Sequence, residues 1–481
     1  LTMGGSGSTN SGHIEAGTGN TVMFTAGLVS SGGTIALTGG TFDNNNQPIT
    51  NGGSILGRGT FRSGGLTNNG TVSFADAPTD VIGAVTNSAT LNITNNTTTF
   101  FDTVTNNNSG HIKVTTGVAR FLSTFSNSGV YNSDPSDNYF TDLSVSSSGY
   151  LVGGGGDRFF VSGNYANNST QAASWNTSSS LLQFQGGTGH QMTVAGSAGQ
   201  FGWGTIGLNA GDTLTINANS ATTAATQNNG ALSQVGGTSN LGALSGTGST
   251  TVGNASGGAA ATMVVSSFAQ PTVTLNATGT LQVAHNAAPV TNTTSNLTIL
   301  TGGKLDLTDN NLQISYSGAS PVSTIRTYLV SGYNSGAWNG PGIDSSTADV
   351  NHTLGYADSA DGIVSGLAAN TVLVKYATPG DLNLDGIVNL SDLLRLVRDF
   401  GHTNSSWDQG DLNYDGTVNL ADFLLLSRHF GGTFSPNLLA QLSSGDQAQI
   451  ESLLAQVPEP ALLPLLSLLP LARRRRVTPP L

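Results

Sequence analysis

The sequence has little charge, no cysteine and few cations. Asp, Glu, Lys and Arg make up 9% of the 481 residues, against about 25% in an ordinary globular protein. The absence of cysteine excludes disulfides and thiolate metal sites, although it leaves export open. Lys and Arg total only 15 residues. Because nucleic-acid binding needs a basic surface, the composition predicts that nucleic acid is not a partner.

Glycine contributes 65 residues, and Asn, Ser and Thr account for most of the other small polar positions. Glycine loses backbone entropy in a helix, and short polar side chains compete for backbone hydrogen bonds, so long helices are disfavoured. The same residues suit short strands joined by tight turns. Because a hydrophobic fraction of 37% is too high for a wholly disordered chain, we predict a mainly β, repetitive structure.

An imperfect repeat runs from about residue 64 to residue 133. Thr-Asn or Ser-Asn pairs begin at Thr67, Thr86, Thr105 and Ser126, with spacings of 19, 19 and 21 residues. A short run of alternating residues follows each pair, and this alternation predicts strands with one buried face. These runs are Thr71–Phe74, Thr90–Ile93, His111–Val114 and Val130–Tyr131.

A period near 20 residues is a sensible length for one coil of a parallel β-solenoid. Stacked coils would bury the apolar rows and align the corner asparagines in hydrogen-bonded ladders. The alternative interpretation is a disordered tract rich in Gly, Ser and Asn. Through its composition and its TNxG-like corners, the repeat resembles the autotransporter-type β-strand repeat proteins of bacterial surfaces.

The rest of the body continues this pattern and then changes. Residues 134–295 have weaker periodicity, and their large apolar side chains are expected to fill or cap the core: Phe159, Phe160, Trp175 and Phe184. From about residue 296 to 378, runs at 305–307, 312–316 and 372–376 predict strands, and the segment Thr324–Ile343 begins with a possible short helix. This second part resembles a module that precedes calcium repeats in planctomycete-type secreted proteins.

The most specific motif is a near-duplication at an offset of 30 residues. Each copy carries oxygen-bearing side chains at positions 1, 3, 5, 9 and 12 of a loop, and a backbone carbonyl would serve at position 7, which is the pattern of a calcium loop. The first set is Asp381, Asn383, Asp385, Ile387, Asn389 and Asp392; the second is Asp411, Asn413, Asp415, Thr417, Asn419 and Asp422.

The chemistry of these loops predicts two bound Ca²⁺ ions. Each loop brings three carboxylates, which suit a hard divalent cation, and it offers no soft ligand for zinc or copper. Gly386 and Gly416 at position 6 allow the sharp turn, while Val388 and Val418 lie at position 8, where paired loops commonly join by a short β-contact. The alternative is a pair of acidic turns without metal, which two aligned copies disfavour.

Both loops end in Asp, where an EF-hand normally has Glu, and each precedes one predicted amphipathic helix. The apolar stripes are Leu393, Leu396, Val397 and Phe400 in the first helix and Phe423, Leu426 and Phe430 in the second, with Gly401 and Gly431 ending the helices. Residues 379–432 resemble the type I dockerin family. The resemblance implies two calcium ions and a helical surface that binds a cohesin-like or other surface protein.

The family's recognition pair lies at loop positions 10 and 11 and typically consists of small hydroxyl residues. Here the pairs are Leu390-Ser391 and Leu420-Ala421. The resemblance therefore does not extend to this pair.

The end of the sequence combines a Pro-Glu-Pro box at 458–460, an apolar run Ala461–Ala472 and the arginines Arg473–Arg476. The run is shorter than the roughly 20 residues of a membrane-spanning helix. This order resembles the PEP-CTERM sorting signal, which implies a transient membrane hold, arginines on the inner side and processing by an exosortase-type enzyme. The alternative is an amphipathic or disordered basic tail.

A polysaccharide-cleaving site would need clustered carboxylates beside a basic residue. The candidate pairs are Asp134 with Asp137, Asp157 with Arg158, and Asp306 with Asp309. We interpret each pair as turn residues, so the sequence predicts no catalytic residues and no enzyme. The alternative is a β-helix protein of polysaccharide catabolism that carries a dockerin.

Taken together, the motifs predict a secreted or cell-surface structural or adhesive protein, with a surface polysaccharide as a further candidate ligand. Leu1–Asn10 have no basic or apolar signal-peptide region, so we expect a fragment or a processed start. The predicted domains are a solenoid body at 1–295, a β-rich module at 296–378, a dockerin-like domain at 379–432, a linker at 433–456 and a sorting tail at 457–481.

Overall fold

The computed structural model describes residues 1–5, 7–187, 189–195, 201–217, 222–431 and 443–454. The predicted sorting tail at 457–481 and parts of the predicted linker lie outside the described residues. The chain forms two compact units, of which the first ends at Val265 and the second begins at Ser266. The boundary predicted between residues 295 and 296 stays a prediction.

The first unit is a parallel β-solenoid, as the sequence predicts. Its strands are β1 (Thr2–Met3), β2 (Ser8–Asn10), β3 (His13–Gly17), β4 (Thr21–Phe24), β5 (Leu28–Ser31), β6 (Thr34–Asp43), β7 (Pro48–Asn51), β8 (Ser54–Arg62), β9 (Gly65–Asn68), β10 (Thr71–Ile82), β11 (Val85–Asn87), β12 (Thr90–Thr94), β13 (Thr97–Phe100), β14 (Val104–Asn106), β15 (His111–Thr115), β16 (Val118–Phe121), β17 (Phe125–Asn127), β18 (Val130–Asp134), β19 (Asp137–Phe140), β20 (Leu143–Val145), β21 (Tyr150–Val152), β22 (Arg158–Val161), β23 (Tyr165–Asn167), β24 (Thr177–Phe184), β25 (His190–Val194), β26 (Gly202–Leu208), β27 (Thr213–Ile216), β28 (Thr222–Asn228), β29 (Ala231–Gln234), β30 (Gly237–Asn240), β31 (Ala243–Ser245), β32 (Ser249–Val252) and β33 (Ala261–Val265).

Successive coils of the solenoid are in register. The three strands β11, β12 and β13 of one coil pair in parallel with β14, β15 and β16 of the next. Side chains alternate between the two faces, so every second residue enters the interior. Thus Leu91 lies next to Ile112, and Phe100 stacks on Phe121 with ring centroids 5.0 Å apart. All four predicted strands of the repeat are confirmed.

The large apolar residues of the later coils are divided between the two faces. Phe159, Trp175 and Phe184 are buried as predicted. The prediction was wrong for Phe160, which is only partly buried and stacks on Tyr139 with ring centroids 4.6 Å apart. The reason is the two-residue period of the strand, which turns Phe160 outward when Phe159 faces inward.

A ladder of buried asparagines marks one corner of the coils. Asn51, Asn68, Asn87, Asn106 and Asn127 are at most 1% exposed. Each Nδ2 of the first four donates to the Oδ1 of the next residue in this series, at 2.8, 2.7, 2.8 and 2.8 Å. The predicted ladder is therefore confirmed, and it satisfies side-chain amides that would otherwise be buried without partners.

The substitution Asn87→Ala is expected to destabilise the solenoid by about 2–3 kcal/mol, because it leaves buried amide groups of Asn68 and Asn106 without a ladder partner. The shift of the urea midpoint at unchanged m-value would measure the loss. As the matched control, Asn92→Ala removes a partly exposed side chain from β12 and should change stability by less than about 0.5 kcal/mol. Equal effects of the two variants would contradict a structural ladder.

The second unit contains further strands and all the α-helices of the described residues. Its strands are β34 (Ser267–Phe268), β35 (Thr272–Leu275), β36 (Gly279–Val283), β37 (Thr291–Thr294), β38 (Asn296–Ile299), β39 (Lys304–Asp306), β40 (Asn311–Ser315), β41 (Gly342–Asp344), β42 (Thr353–Asp358) and β43 (Thr371–Ala377). Its helices are α1 (Val322–Tyr333), α2 (Leu390–Asp399), α3 (Leu420–His429) and α4 (Ser444–Leu454), with 3-10 turns at Asn334–Gly336 and Trp407–Gln409.

Parallel pairing of β35 with β38 and of β36 with β39 gives this unit a solenoid-like part. A four-stranded sheet follows in the order β37-β40-β43-β42, in which β43 is antiparallel to both neighbours. Helix α1, which confirms the predicted short helix, packs closely on β41. A Cβ on Gly332 would lie 1.8 Å from the carbonyl oxygen of Ile343, so only glycine permits this approach.

Helices α2 and α3 follow the two predicted calcium loops. Their predicted apolar stripes are buried at Leu393, Leu396, Val397, Phe423 and Leu426. In the described part of the chain, no helix has the length and apolar character needed to span a bilayer.

Candidate calcium sites

The two predicted calcium loops have the same backbone path. Gly386 and Gly416 adopt φ values of 95° and 90°, and the residues two positions earlier, Leu384 and Tyr414, have φ values of 55° and 61°. These left-handed conformations produce the sharp turn expected at loop positions 4 to 6. The sequence therefore predicted the turn correctly from the position of the glycines.

The ends of both loops are also the beginnings of helices. Asn389 is the N-cap of α2, its side chain accepts from the backbone N–H of Ser391, and Asp392 accepts in return from the N–H of Asn389. Asn419 and Asp422 form the same capping box on α3. Loop closure and helix initiation thus depend on the same side chains.

Four carboxylates are buried at the bases of the loops. Asp381, Asp392, Asp411 and Asp422 are at most 1% exposed. Burial raises the pKa of Asp381 and of Asp422 to about 6, and it also raises the pKa of Asp392 and Asp411. Neighbouring acidic residues add to the rise, because like charges disfavour ionisation. The loops therefore concentrate negative charge where water cannot stabilise it.

These buried acids fit a divalent cation held by oxygen. The Oδ1 atom of Asp411 is buried without a hydrogen-bond partner, so it is free to coordinate an ion. Position 5, by contrast, is exposed in both loops, at Asp385 and Asp415. Ca²⁺ accepts six to eight oxygens from carboxylates, amides and backbone carbonyls, and the residues at the predicted positions are the ones that would hold it.

The side chains of the loops are not drawn together around a point. Asp385 Oδ2 accepts from Asn383 Nδ2 at 2.9 Å, and Asp415 Oδ2 accepts from Asn413 Nδ2 at the same distance. The position-7 carbonyls of Ile387 and Thr417 face the side-chain amides of Asn389 and Asn419, at 3.5 and 3.2 Å. Within the described ranges, no group of three or more carboxylate or imidazole side chains converges as around a metal.

The predicted contact between position-8 valines was wrong. Gly401, just after α2, donates to the carbonyl of Val418 at 2.8 Å, and Gly431, just after α3, donates to the carbonyl of Val388 at 3.1 Å. Each helix therefore leads back to the other loop and pairs with it there. The carbonyls of both valines therefore accept hydrogen bonds from the segments that follow the helices, and they are not available for a direct β-contact between the loops.

An aromatic cluster that the sequence analysis missed surrounds position 4 of the second loop. The Tyr414 ring lies 5.1 to 6.0 Å from the ring centroids of Tyr333, Trp338, Tyr356 and Trp407. The Tyr414 hydroxyl donates to the carbonyl of Leu354. This packing holds the second loop against α1 and β42. In the sequence, the only sign of this cluster is that several aromatic residues occur after residue 328.

The first loop has contacts of its own with these elements. Trp407 Nε1 donates to the carbonyl of Asp381 at 3.1 Å, and Lys375 Nζ on β43 donates to the carbonyl of Leu384. A Cβ on Gly355 would lie 2.5 Å from Trp407 Nε1, so glycine is required where the indole crosses β42. Both loops are therefore supported from the β-rich part of the unit.

The candidate catalytic pairs have structural contacts. Asp137 pairs with Arg158, with its Oδ1 2.6 Å from Nε. The buried Asp157 accepts from Ser136 N and Gly154 N, and Asp306 accepts from Thr308 N and Ser346 N.

The remaining two acids also have side-chain partners. Asp134 lies 3.3 Å from Lys113, and Asp309 lies 2.7 Å from His285.

The fold and the paired loops define a β-solenoid protein with a small helical calcium-loop domain. Residues 379–431 match the family described as the dockerin type I domain, so this part of the chain is a dockerin domain. Dockerin type I domains bind calcium and cohesin partners. Neither the comparison with curated proteins nor the comparison with solved structures gives a match for the chain.

Proposed function

We propose that the protein is a secreted or cell-surface, non-catalytic structural or adhesive protein that docks to a protein partner when its dockerin domain holds two calcium ions. The observation that supports it best is the duplicated loop with buried acids at both ends of each copy. Two clusters of acidic side chains favour one divalent ion each. The solenoid supplies a regular, repetitive scaffold.

The proposed partner is a cohesin-like or other surface protein that contacts the starts of α2 and α3. Leu390 and Leu420, at loop position 10, are only partly buried, although they are apolar. In each loop this leucine is followed by a small residue, Ser391 or Ala421. Such a pair favours a partner whose contact surface is more apolar than the surface that would bind two hydroxyl residues.

The substitution Leu420→Glu is expected to weaken calcium-dependent docking at least tenfold and to leave calcium binding unchanged, because it places a charge in an apolar contact. Isothermal calorimetry of the full chain would count the calcium ions, with two expected. Binding to surface protein extracted from the native host, with calcium and with chelator, would measure docking.

Leu425→Glu is the matched control, since Leu425 is equally partly buried but lies about 140° around α3 from Leu420. Docking that persists in chelator, or that both variants weaken alike, would contradict the proposal. Failure to bind two ions would contradict the calcium-dependent part.

The absence of catalysis is part of the same proposal. It is supported by the candidate carboxylates, which bind backbone N–H groups or pair with a neighbouring cation. A cleaving site needs such groups directed at one point in a cleft. Release of reducing sugars or unsaturated products from polysaccharide by the full chain would contradict it and favour polysaccharide catabolism.

The proposed route to the surface uses the PEP-CTERM-like tail at 457–481, with a transient membrane hold and an exosortase-type partner. It is supported by the order of the Pro-Glu-Pro box, the apolar run and Arg473–Arg476. Intact-mass measurement of protein extracted from the native cell surface would test it. A mature species that retains Arg473–Arg476 would contradict processing.

A further inference from the structure

The two calcium loops repeat each other almost bond for bond. Equivalent backbone N–H groups donate to the position-1, position-5, position-9 and position-12 side chains in both copies. The matching pairs of donors are Leu382 and Leu412, Asn383 and Asn413, Gly386 and Gly416, Ile387 and Thr417, Asn389 and Asn419, and Ser391 and Ala421. Each loop therefore serves as an internal reference for the other.

The loops differ at the first carboxylate. In the first loop, Asp381 Oδ1 accepts from the N–H of Asp385 at 3.0 Å. In the second loop, the equivalent Asp411 Oδ1 has no hydrogen-bond partner, although it is buried. Its other oxygen, Oδ2, lies 2.9 Å from Nη2 of Arg326 and also accepts from Gly416 N. A guanidinium thus binds the position-1 carboxylate of one loop.

Arg326 is held in place by the fold. It lies on α1, and its side chain is 31% exposed, while Asp411 is 1% exposed. The same helix provides Tyr333, which packs on Tyr414 of the second loop with ring centroids 5.1 Å apart. Because α1 contributes both contacts, the charge of Arg326 stays next to the loop and cannot diffuse away as a salt ion would.

A lysine contacts the first loop, but it does not bind a calcium-ligand carboxylate there. Lys375 Nζ donates to the backbone carbonyl of Leu384, which is loop position 4 and not a calcium-ligand position. The carboxylate of Asp381 instead accepts from the backbone at Asp385 and Gly386. The charge of Lys375 also acts to lower the pKa of Asp381, but its Nζ is bonded to the Leu384 carbonyl. A calcium ion at the first loop would therefore meet a nearby positive charge that is not bonded to its position-1 carboxylate.

We propose that Arg326 is a built-in competitor for calcium at the second loop, which makes the two sites unequal. This inference rests on the proposed binding of two calcium ions. Without calcium, Arg326 neutralises Asp411 and supports the loop; with calcium, a fixed positive charge next to a divalent ion opposes binding. The first loop binds calcium at a lower free calcium concentration, and the second loop binds it only at a higher concentration.

Calorimetry of the full chain can measure each loop separately. Asp385→Ala leaves only the second loop intact, and Asp415→Ala leaves only the first loop intact. Asp385→Ala should therefore bind calcium more weakly than Asp415→Ala. Adding Arg326→Gln to Asp385→Ala is expected to raise affinity roughly tenfold. Adding it to Asp415→Ala should change affinity by less than about twofold, because the first loop has no contact with Arg326.

Two further variants separate charge from packing. Arg326→Lys keeps the positive charge and should bind calcium much as the native chain does, whereas Arg428→Gln removes an exposed charge from α3 and should have no effect. Melting in chelator provides a second measurement. There Arg326→Gln should melt at lower temperature than the native chain, and the difference should shrink in saturating calcium.

Unchanged or weaker calcium affinity at the second loop in Arg326→Gln would overturn the inference while two-site binding by the native chain still stood. Equal affinities of the two single-loop variants would also overturn it. Absence of calcium binding by the native chain would overturn the proposed function together with this inference.

Discussion

Removal of calcium from the full chain is expected to destabilise the dockerin domain strongly and to leave the solenoid in place. Asp381, Asp392, Asp411 and Asp422 are buried, and they repel one another across each loop. If free calcium is 100 times the dissociation constant, each ion contributes about 2.7 kcal/mol, so two ions contribute about 5 kcal/mol. For a domain this small, that is most of the stability.

Hydrogen exchange followed by mass spectrometry would locate the effect. Amides of α2, of α3 and of residues such as Leu382 and Leu412, whose N–H groups donate to loop carboxylates, should lose protection in chelator. Amides of β11 to β16 should keep theirs, because the Asn ladder and apolar interior of the solenoid involve no metal ligand. Helix content should fall in circular dichroism.

The double variant Asp385→Ala with Asp415→Ala is the matched control, since it should behave in calcium as the native chain behaves in chelator. Full protection of α2 and α3 in chelator would contradict the expected result. Loss of protection in the solenoid as well would show that the effect is not confined to the loops.

The solenoid and the loops could be predicted from sequence because their determinants are local or periodic. Alternation within Thr90–Ile93 fixes which side chains face inward, and the recurrence of Asn68, Asn87 and Asn106 at the coil length predicts the ladder. The calcium loops are also local, since each lies within twelve residues and their glycines and acids have fixed positions.

The supports of the loops could not be predicted in this way. Arg326 and Asp411 are 85 residues apart in sequence, and Tyr414 and Leu354 are 60 residues apart. No periodic pattern connects such positions, because the contact depends on how α1 and β42 pack. The prediction of a contact between the valines failed for a related reason. The turns at Gly386 and Gly416 were predicted correctly, but the elements that pair with Val388 and Val418 were not.

In chelator, acidification is expected to stabilise the dockerin domain, whereas in calcium it is expected to destabilise it. Burial raises the pKa of Asp381 and Asp422 from 3.8 to about 6. Between pH 4 and 6 the folded state therefore binds more protons than the unfolded state, so stability falls as pH rises through this window. Each group contributes on the order of 1–2 kcal/mol after solvent screening.

Bound calcium reverses the sign, because a divalent cation stabilises the ionised carboxylates and lowers their pKa below the unfolded value. Stability is then fully present at neutral pH and is lost as protons displace the ion. Chemical denaturation at pH 5 and pH 7.5, with chelator and with saturating calcium, would give four free energies of unfolding for the domain. The solenoid transition in the same samples provides the internal control. If stability changes in the same direction with pH in both conditions, the buried loop carboxylates are not the groups whose titration controls stability. That result would also contradict the argument that these carboxylates bind calcium through their negative charge.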